Sequence, residues 1–89
     1  MEAKIQQKII KYLRSLGAYI IKTISTGKAG VPDIICCYKG DFLAFEVKAS
    51  YGIVSELQTY NIDLIKRAGG KAWVVRSVGE VEDIMAGYN

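Results

Sequence analysis

The sequence contains no histidine. This absence excludes catalytic triads that use histidine as their base, zinc hydrolases with histidine ligands and nucleases whose general base is a histidine. A catalytic site in this chain would have to be built from other side chains, and carboxylates and lysines are available for that purpose.

Long apolar segments are also missing. No run approaches the roughly 20 residues that a membrane span requires. The N-terminal stretch MEAKIQQKIIKYLRSLG is charged from its second residue and patterned like a helix, unlike a signal peptide. These features predict a soluble, cytoplasmic protein.

Cysteine is scarce, since the chain has only Cys36 and Cys37, and the two are adjacent. Neighbouring residues of a strand point to opposite faces, so this pair can neither join distant segments nor form half of a zinc site with the usual ligand spacing. We expect both to be buried thiols in a reducing compartment.

The length of 89 residues predicts a single domain, residues 1–89, because so short a chain has too little apolar material for a second core. No linker, repeat or low-complexity tract divides it. The formal net charge of +3 permits a polyanionic partner without requiring one.

An amphipathic helix is predicted from Glu2 to Leu16, with Gly17 ending it. Its apolar stripe consists of Ile5, Ile9, Tyr12, Leu13 and Leu16. The opposite side, which we expect to be exposed, carries the basic residues Lys4, Lys8, Lys11 and Arg14.

Four strands are predicted from β-branched and aromatic segments: AYIIKTIS, DIICCY, DFLAFEVK and KAWVVRS. Lys39-Gly40 predicts a two-residue hairpin loop between the second and third strands. Two capping boxes, SELQ and SVGE, predict a helix from about Ser55 to Ala68 and a short one from Gly79 to Met85. The order is α-β-β-β-α-β-α, an α/β fold with a mixed sheet flanked by helices.

The hairpin places two acidic side chains opposite each other. With a two-residue loop, Tyr38 pairs with Asp41, and counting back along both strands pairs Asp33 with Glu46. Lys48 projects from the same face two residues beyond Glu46. Facing carboxylates repel each other, so we expect a cation between them. Mg²⁺ fits because it binds one or two carboxylates and completes its shell with water and phosphate oxygens.

A less specific interpretation of the same residues remains open. Asp33 could simply end a loop while Glu46 and Lys48 form an exposed cross-strand pair. A three-residue loop would also slip the register by one and put Phe45 opposite Asp33. The catalytic interpretation therefore depends on the hairpin register.

Two further residues extend this set. Glu2 falls within the apolar stripe of the first helix, from which it would project toward the sheet; alternatively it is a solvated first-turn glutamate favoured by the helix dipole. Gln58 lies one turn into the second predicted helix, and its alternative role is that of the capping-box partner of Ser55. The apolar stripe beside it consists of Leu57, Leu64, Ile65 and Ala68.

The ordered motifs GVPD, EVK and SELQ, preceded by a glutamate in the first helix, resemble the VRR-NUC family of the PD-(D/E)XK nuclease superfamily. They are also similar to those of archaeal Holliday-junction resolvases. Each motif is short enough to occur by chance, whereas the ordered set on a matching element pattern is specific. The resemblance extends from Glu2 to about Arg76, and the superfamily core has the same α-β-β-β-α-β order.

The resemblance implies a metal-dependent endodeoxyribonuclease that hydrolyses phosphodiester bonds and leaves 5′-phosphate and 3′-hydroxyl ends. Asp33, Glu46 and the main-chain carbonyl of Val47 would bind Mg²⁺, for which Mn²⁺ would substitute. Lys48 would position or deprotonate the attacking water, or stabilise charge on the phosphate.

The resemblance also implies that Glu2 completes the acidic cluster, directly or through water, and that Gln58 orients Lys48 or the phosphate. Phosphate contacts are expected from basic residues, although each lysine is alternatively a solvated surface charge. These residues are Lys4, Lys8, Lys11, Arg14, Lys22 and Lys28. Such contacts do not read base sequence, so recognition of DNA shape is predicted.

Similarity to junction resolvases implies a homodimer that cuts two strands symmetrically, and six tyrosines in so small a chain are consistent with one. The leading hypothesis is a magnesium-dependent, structure-selective DNA endonuclease that acts at Holliday or branched junctions as a homodimer. The alternatives are a non-specific or nicking endonuclease, the catalytic part of a larger restriction-like system, and a non-catalytic nucleic-acid-binding module that keeps the nuclease fold.

Overall fold

The structure is a computed structural model that describes residues 1–23 and 28–88. Its elements are α1 (Glu2–Ser15), β1 (Tyr19–Lys22), β2 (Ile34–Tyr38), β3 (Asp41–Val47), α2 (Glu56–Arg67), β4 (Lys71–Val75) and α3 (Val78–Ala86). The predicted element order is confirmed. The end of the first predicted strand, Ile24 and Ser25, lies outside the described residues.

The strands form a mixed sheet in the order β1-β2-β3-β4. The first three are antiparallel neighbours, and β4, which follows the crossover helix α2, runs parallel to β3. A parallel neighbour requires such a crossover connection. The start of β2 and the ends of β3 and β4 therefore meet at one edge of the sheet. Within the described part of the chain, every helix is too short or too polar to span a membrane.

The hairpin between β2 and β3 has the predicted register. Lys39 and Gly40 form its two-residue loop with positive φ angles of 49° and 84°, the combination that a type I′ turn requires. Tyr38 pairs with Asp41, and the ladder continues as far as the pair of Ile34 with Phe45. The next position on each strand belongs to the predicted acidic pair.

Apolar side chains pack on both faces of the sheet. Helices α1 and α3 cover one face and bury the larger core, which includes Ile9, Leu13, Ile34, Leu43, Phe45, Val75, Val81 and Met85. Helix α2 packs on the other face over β3 and β4, where Ile62 contacts Ala44 and Ala72. Because alternate residues of a strand share a face, Glu46 lies on the side of Ala44, facing α2.

The part of this second face that α2 leaves uncovered, on β1, β2 and the start of β3, carries exposed apolar side chains. Tyr19, Ile21, Cys37 and Phe42 are exposed there and form what we call the open apolar patch. The prediction that both thiols are buried is wrong for Cys37, because α2 packs over β3 and β4 instead. Cys36 points into the larger core, where burial raises its pKa to about 11, with the neighbouring Cys37 adding to the increase.

Helix α2 turns only part of its predicted apolar stripe to the sheet, where Ile65 packs as expected. Its buried residues are Asn61 and Ile62, whereas Leu57 and Ala68 of the predicted stripe are exposed. The apolar pattern fails here because Asn61 and Gln58 have polar partners beneath the helix.

One of the two predicted capping boxes is complete and the other is half formed. Ser55 and Gln58 exchange both hydrogen bonds at the start of α2. At α3, the Ser77 hydroxyl accepts from the Glu80 N–H at 3.2 Å, but the Glu80 carboxylate accepts from the N–H of Arg76 rather than from that of Ser77. The Glu80 carboxylate therefore binds the residue before the N-cap instead of the N-cap itself.

Candidate active site

Asp33 and Glu46 lie at the same end of the two central strands, β2 and β3. Asp33 immediately precedes β2, and Glu46 is the penultimate residue of β3, so each lies one position beyond the last pair of the ladder. Asp33 Oδ2 accepts a hydrogen bond from the N–H of Val47 at 2.8 Å. This bond fixes one carboxylate oxygen of Asp33 against the end of β3.

Glu46 is the most enclosed of the polar side chains predicted for the site, with 2% of its side chain exposed. Its Oε2 accepts from Gln58 Nε2 at 3.1 Å and lies 3.9 Å from Lys48 Nζ. Its Oε1 is buried and has no hydrogen-bond partner among the described residues. A buried acceptor without a partner is costly, so a ligand that met Oε1 would be stabilised there.

The two carboxylates repel each other in the folded chain. Burial raises the pKa of Glu46 to about 8, and the negative charge of Asp33 adds to the increase while Lys48 opposes it. A side-chain hydrogen bond with Asp33, which Glu46 can donate only when it is protonated, raises the pKa further, so the unpartnered Oε1 describes the ionised form. A proton on Glu46 relieves the repulsion when no cation is bound.

Lys48 directly follows β3 and lies beside the acidic pair, as the strand period predicts. Its N–H donates to the carbonyl oxygen of Val75 at 3.0 Å, which extends the pairing of β3 with β4 by one residue. The side chain is 14% exposed. Its ammonium group is therefore held next to Glu46 and is still accessible to a substrate.

Gln58 is the capping-box partner of Ser55 and also reaches the acidic pair. Its Oε1 accepts from the Ser55 N–H at 2.9 Å, and its Nε2 donates to Glu46 Oε2 at 3.1 Å. The contact is made with Glu46 rather than with Lys48. Gln58 thus ties the first turn of α2 to the buried carboxylate.

Glu2 reaches the site from α1 and is half-buried, so it is not a fully solvated first-turn residue. Its Oε2 accepts from the N–H of Ala49 at 3.4 Å, and its charge adds a small part to the raised pKa of Glu46. No three acidic, histidine or cysteine side chains in residues 1–23 and 28–88 are arranged to hold a metal ion.

Asp33 is held by residues outside the predicted site. The N–H of Thr23 donates to the carbonyl oxygen of Asp33 at 2.9 Å, and the Thr23 hydroxyl donates to that of Pro32. These bonds attach the Pro-Asp segment to the end of β1. The sequence offers no signal for Thr23, because its partners are main-chain atoms of a loop.

Asn61 attaches the same loop to α2. Its Nδ2 donates to the carbonyl oxygens of Leu57 at 2.9 Å and Ala29 at 3.3 Å. Gly30 passes so close to this helix that a Cβ atom there would lie 2.7 to 2.9 Å from atoms of Leu57 and Asn61. The available sequence signal is that Asn61 follows Gln58 by three residues and so shares its helix face.

The sequence of the chain matches the model of the archaeal Holliday junction resolvase family, Hjc, over residues 3–86. The chain belongs to this resolvase family.

Two solved structures share the fold of this resolvase family member. One, described as a VRR_NUC domain, has a TM-score of 0.84 and 22% identity, and the match covers 99% of this chain and 97% of that one. A VRR_NUC domain protein has a TM-score of 0.76 and 21% identity, with coverage of 98% and 86%. No curated protein matches at a significant level. The predicted resemblance to VRR-NUC proteins and resolvases is confirmed.

The residues of this resolvase-family site fit a hard divalent cation. Asp33 and Glu46 supply carboxylate oxygens, which Mg²⁺ prefers, and Glu46 Oε1 is a buried oxygen that lacks a partner among the described residues. Two carboxylates leave the remaining coordination positions to main-chain, water and phosphate oxygens, which is how Mg²⁺ is usually bound.

The predicted phosphate-binding residues do not all share one surface of the resolvase fold. Lys4, Lys8 and Lys11 are exposed and lie together on α1, the helix that begins at the site with Glu2. Lys22 is exposed at the end of β1, and Lys28 is exposed beside α2. The three α1 lysines line one surface together, whereas Lys22 pairs with Ile34, the residue that follows Asp33.

Without a divalent ion, the free energy of unfolding is expected to fall as pH rises from about 4.5 to about 8. The folded chain holds the Glu46 proton up to a pKa of about 8, compared with an ordinary value of 4.5, so the stabilisation is complete below pH 4.5 and lost above about 8. Urea unfolding in a chelating buffer would measure this slope. Glu46→Gln should flatten it, whereas Glu56→Gln, at an exposed position of α2, should not.

Proposed function

We propose that the chain is a magnesium-dependent, structure-selective endonuclease that hydrolyses phosphodiester bonds in branched DNA. The observation that carries this proposal is the convergence of Asp33, Glu46 and Lys48, with a buried Glu46 oxygen left without a partner among the described residues. Membership of the Holliday junction resolvase family supports a four-way junction as the substrate.

Asp33 and Glu46 would hold the magnesium ion, with the main-chain carbonyl of Val47 as a further protein ligand. When bound, the ion offsets the negative charge of the phosphate that is being hydrolysed. Mn²⁺ also favours oxygen ligands and would substitute. The hydrogen bond from the Val47 N–H to Asp33 Oδ2 holds this carboxylate at the end of β3, and its remaining lone pairs would be available to the ion.

Lys48 would act on the reacting groups themselves. Its ammonium lies 3.9 Å from Glu46 and is partly exposed, so it can hold the attacking water or stabilise charge that develops on the phosphate. Gln58 keeps Glu46 in place, and Glu2 holds the main chain at Ala49. The products would carry 5′-phosphate and 3′-hydroxyl ends.

Comparing a four-way junction, a flap and a linear duplex of related sequence would test the substrate. We expect magnesium-dependent cleavage to be fastest on the junction, and Lys48→Ala to lower it at least about a hundredfold, because a positioned charge at the phosphate is lost. Lys66→Ala, at an exposed position of α2, is the matched control. Equal rates on the three substrates would remove the junction assignment. Binding without cleavage would instead favour a non-catalytic module.

A homodimer is part of the same proposal, and the open apolar patch supports it. Tyr19 is 72% exposed and Ile21 is 51% exposed on a sheet face that also presents Cys37 and Phe42. Apolar area of this kind is commonly covered by a partner. A second copy placed here would leave both active sites on one particle, as symmetric cutting of two strands requires.

Sedimentation at micromolar concentration is expected to give a particle of twice 9.8 kDa. Ile21→Asp should shift it toward the monomer because it puts a charge into the patch. Ile53→Asp, at an exposed apolar position in the loop before α2, should not. Alkylation of Cys37 should slow as protein concentration rises. A monomer at all concentrations would contradict the dimer.

A further inference from the structure

The segment of residues 49–54 connects two parts of the site. It begins directly after Lys48 and ends directly before Ser55. Ser55 caps α2, and its hydroxyl accepts a hydrogen bond from the N–H of Gln58. Its described main-chain hydrogen bonds include a short turn in which the Gly52 N–H donates to the carbonyl oxygen of Ala49 at 2.9 Å. We call residues 49–52 the site loop.

Arg76 holds the site loop from the neighbouring strand. Its Nη1 lies 2.7 Å from the carbonyl oxygen of Ala49, 2.9 Å from that of Gly52 and 3.4 Å from that of Ser50. Arg76 comes directly after β4, and the preceding residue, Val75, accepts the N–H of Lys48. The guanidinium therefore binds Ala49, and the strand pairing binds Lys48, the residue before it.

The main chain of Arg76 is fixed as well. Its N–H donates to the Glu80 carboxylate at the start of α3. Within residues 1–23 and 28–88, the Arg76 guanidinium has no carboxylate at ion-pair distance, so its charge is directed at the loop carbonyls. Hydrogen bonds from a charged donor are stronger than neutral ones, which makes this a firm attachment.

The site loop in turn packs on the side chain of Lys48. A Cβ atom at Gly52 would lie 3.3 Å from both Cβ and Cδ of Lys48, so the loop backbone rests against the lysine's aliphatic portion. A displacement of the loop would therefore release the lysine. The ammonium would lose the constraint that keeps it 3.9 Å from Glu46.

We propose that Arg76 is a positioning residue for phosphodiester cleavage, which acts by holding the site loop so that Lys48 and Gln58 keep their places at Glu46. This inference rests on the proposed function, because it assigns Arg76 to the same reaction. The described hydrogen bonds of Arg76 go to the site loop and to Glu80, and none goes to Asp33, Glu46 or Lys48, so we expect its effect on the rate of the chemical step.

The test compares Arg76→Ala and Arg76→Gln with Arg67→Ala, which removes the same charge from an exposed position in the last turn of α2. With a four-way junction and saturating magnesium, kcat should fall by about 10- to 100-fold in both Arg76 variants, as expected when a catalytic group is misplaced. KM should change little. Added guanidinium ion should restore part of kcat to Arg76→Ala, and an equal concentration of sodium ion should not.

Hydrogen exchange gives a reading that does not depend on activity. The amide of Gly52 should exchange faster in both Arg76 variants, whereas amides in β3 should keep wild-type protection. If Arg76→Ala fails to fold, Arg76→Gln alone decides the question. Unchanged kcat in a folded Arg76 variant would overturn the inference, and so would a loss confined to KM, which would make Arg76 a DNA contact. Absence of cleavage by the wild-type protein would instead refute the proposed function. The exchange rate of the Gly52 amide would then still report whether Arg76 holds the site loop.

Discussion

Asp33→Asn is expected to reduce magnesium-dependent cleavage of a four-way junction by about a thousandfold, the upper range for losing one preorganised electrostatic group. The change removes one of the two carboxylates that would hold the ion. It should leave the fold intact, because the asparagine side-chain oxygen can still accept from the N–H of Val47. Initial rates and circular dichroism on the same samples would measure both effects.

Asp83→Asn is the matched control for this substitution, since Asp83 is exposed on α3 and the change in charge is identical. Its cleavage rate should stay within about twofold of wild type, as is usual for an exposed position without specific contacts. If Asp33→Asn cleaved the junction as fast as Asp83→Asn, Asp33 would not be part of the active site.

Gly30→Ala is expected to lower the free energy of unfolding by about 3 kcal/mol, because two separate penalties act at this residue. The φ angle of Gly30 is +81°, which disfavours any side chain. A Cβ atom would also lie 2.7 Å from Leu57 Cγ and 2.9 Å from the Leu57 carbonyl oxygen, and the main chain of a packed helix cannot move aside easily. Urea unfolding would measure the loss.

Gly17→Ala separates the two penalties. Gly17 has a φ angle of +86°, but a Cβ atom there would have nothing within 4 Å. We expect this control to cost about 1–2 kcal/mol, the conformational part alone. Equal losses at the two glycines would mean that the loop before Asp33 can move away from α2, and so that its close packing does not fix the acidic pair.

The local geometry of the site could be predicted from the sequence because it follows from strand alternation and one turn. Lys39-Gly40 determines the register of the hairpin, and that register places Asp33 and Glu46 at corresponding positions of neighbouring strands. Lys48 then follows from the period of two. These are short-range rules, and the structure agrees with them.

The side of α2 that faces the sheet could not be predicted from hydrophobicity. Gln58 and Asn61 point inward because Glu46 and the loop at Ala29 offer them partners. Those partners are distant in sequence, so no pattern within the helix identifies them. The exposure of Cys37 has a related cause, since its burial depends on how far α2 extends across the sheet.

Hydrogen bonds between main-chain atoms and side chains distant in sequence also cannot be predicted from the sequence. Arg76 binds the carbonyl oxygens of Ala49 and Gly52, and Thr23 binds those of Pro32 and Asp33. Carbonyl oxygens occur at every position, so no residue type in the loop marks it as the partner. Only the folded arrangement of the β1 and β4 ends reveals these supports.

The most direct test of the central claim is cleavage of a purified four-way junction by the wild-type protein, measured with magnesium and again after chelation with EDTA. We expect cleavage with magnesium, none after chelation, and recovery when magnesium or manganese is restored. Cleavage that continued at the same rate in EDTA would contradict it, because the acidic pair at Asp33 and Glu46 would then have no ion to hold.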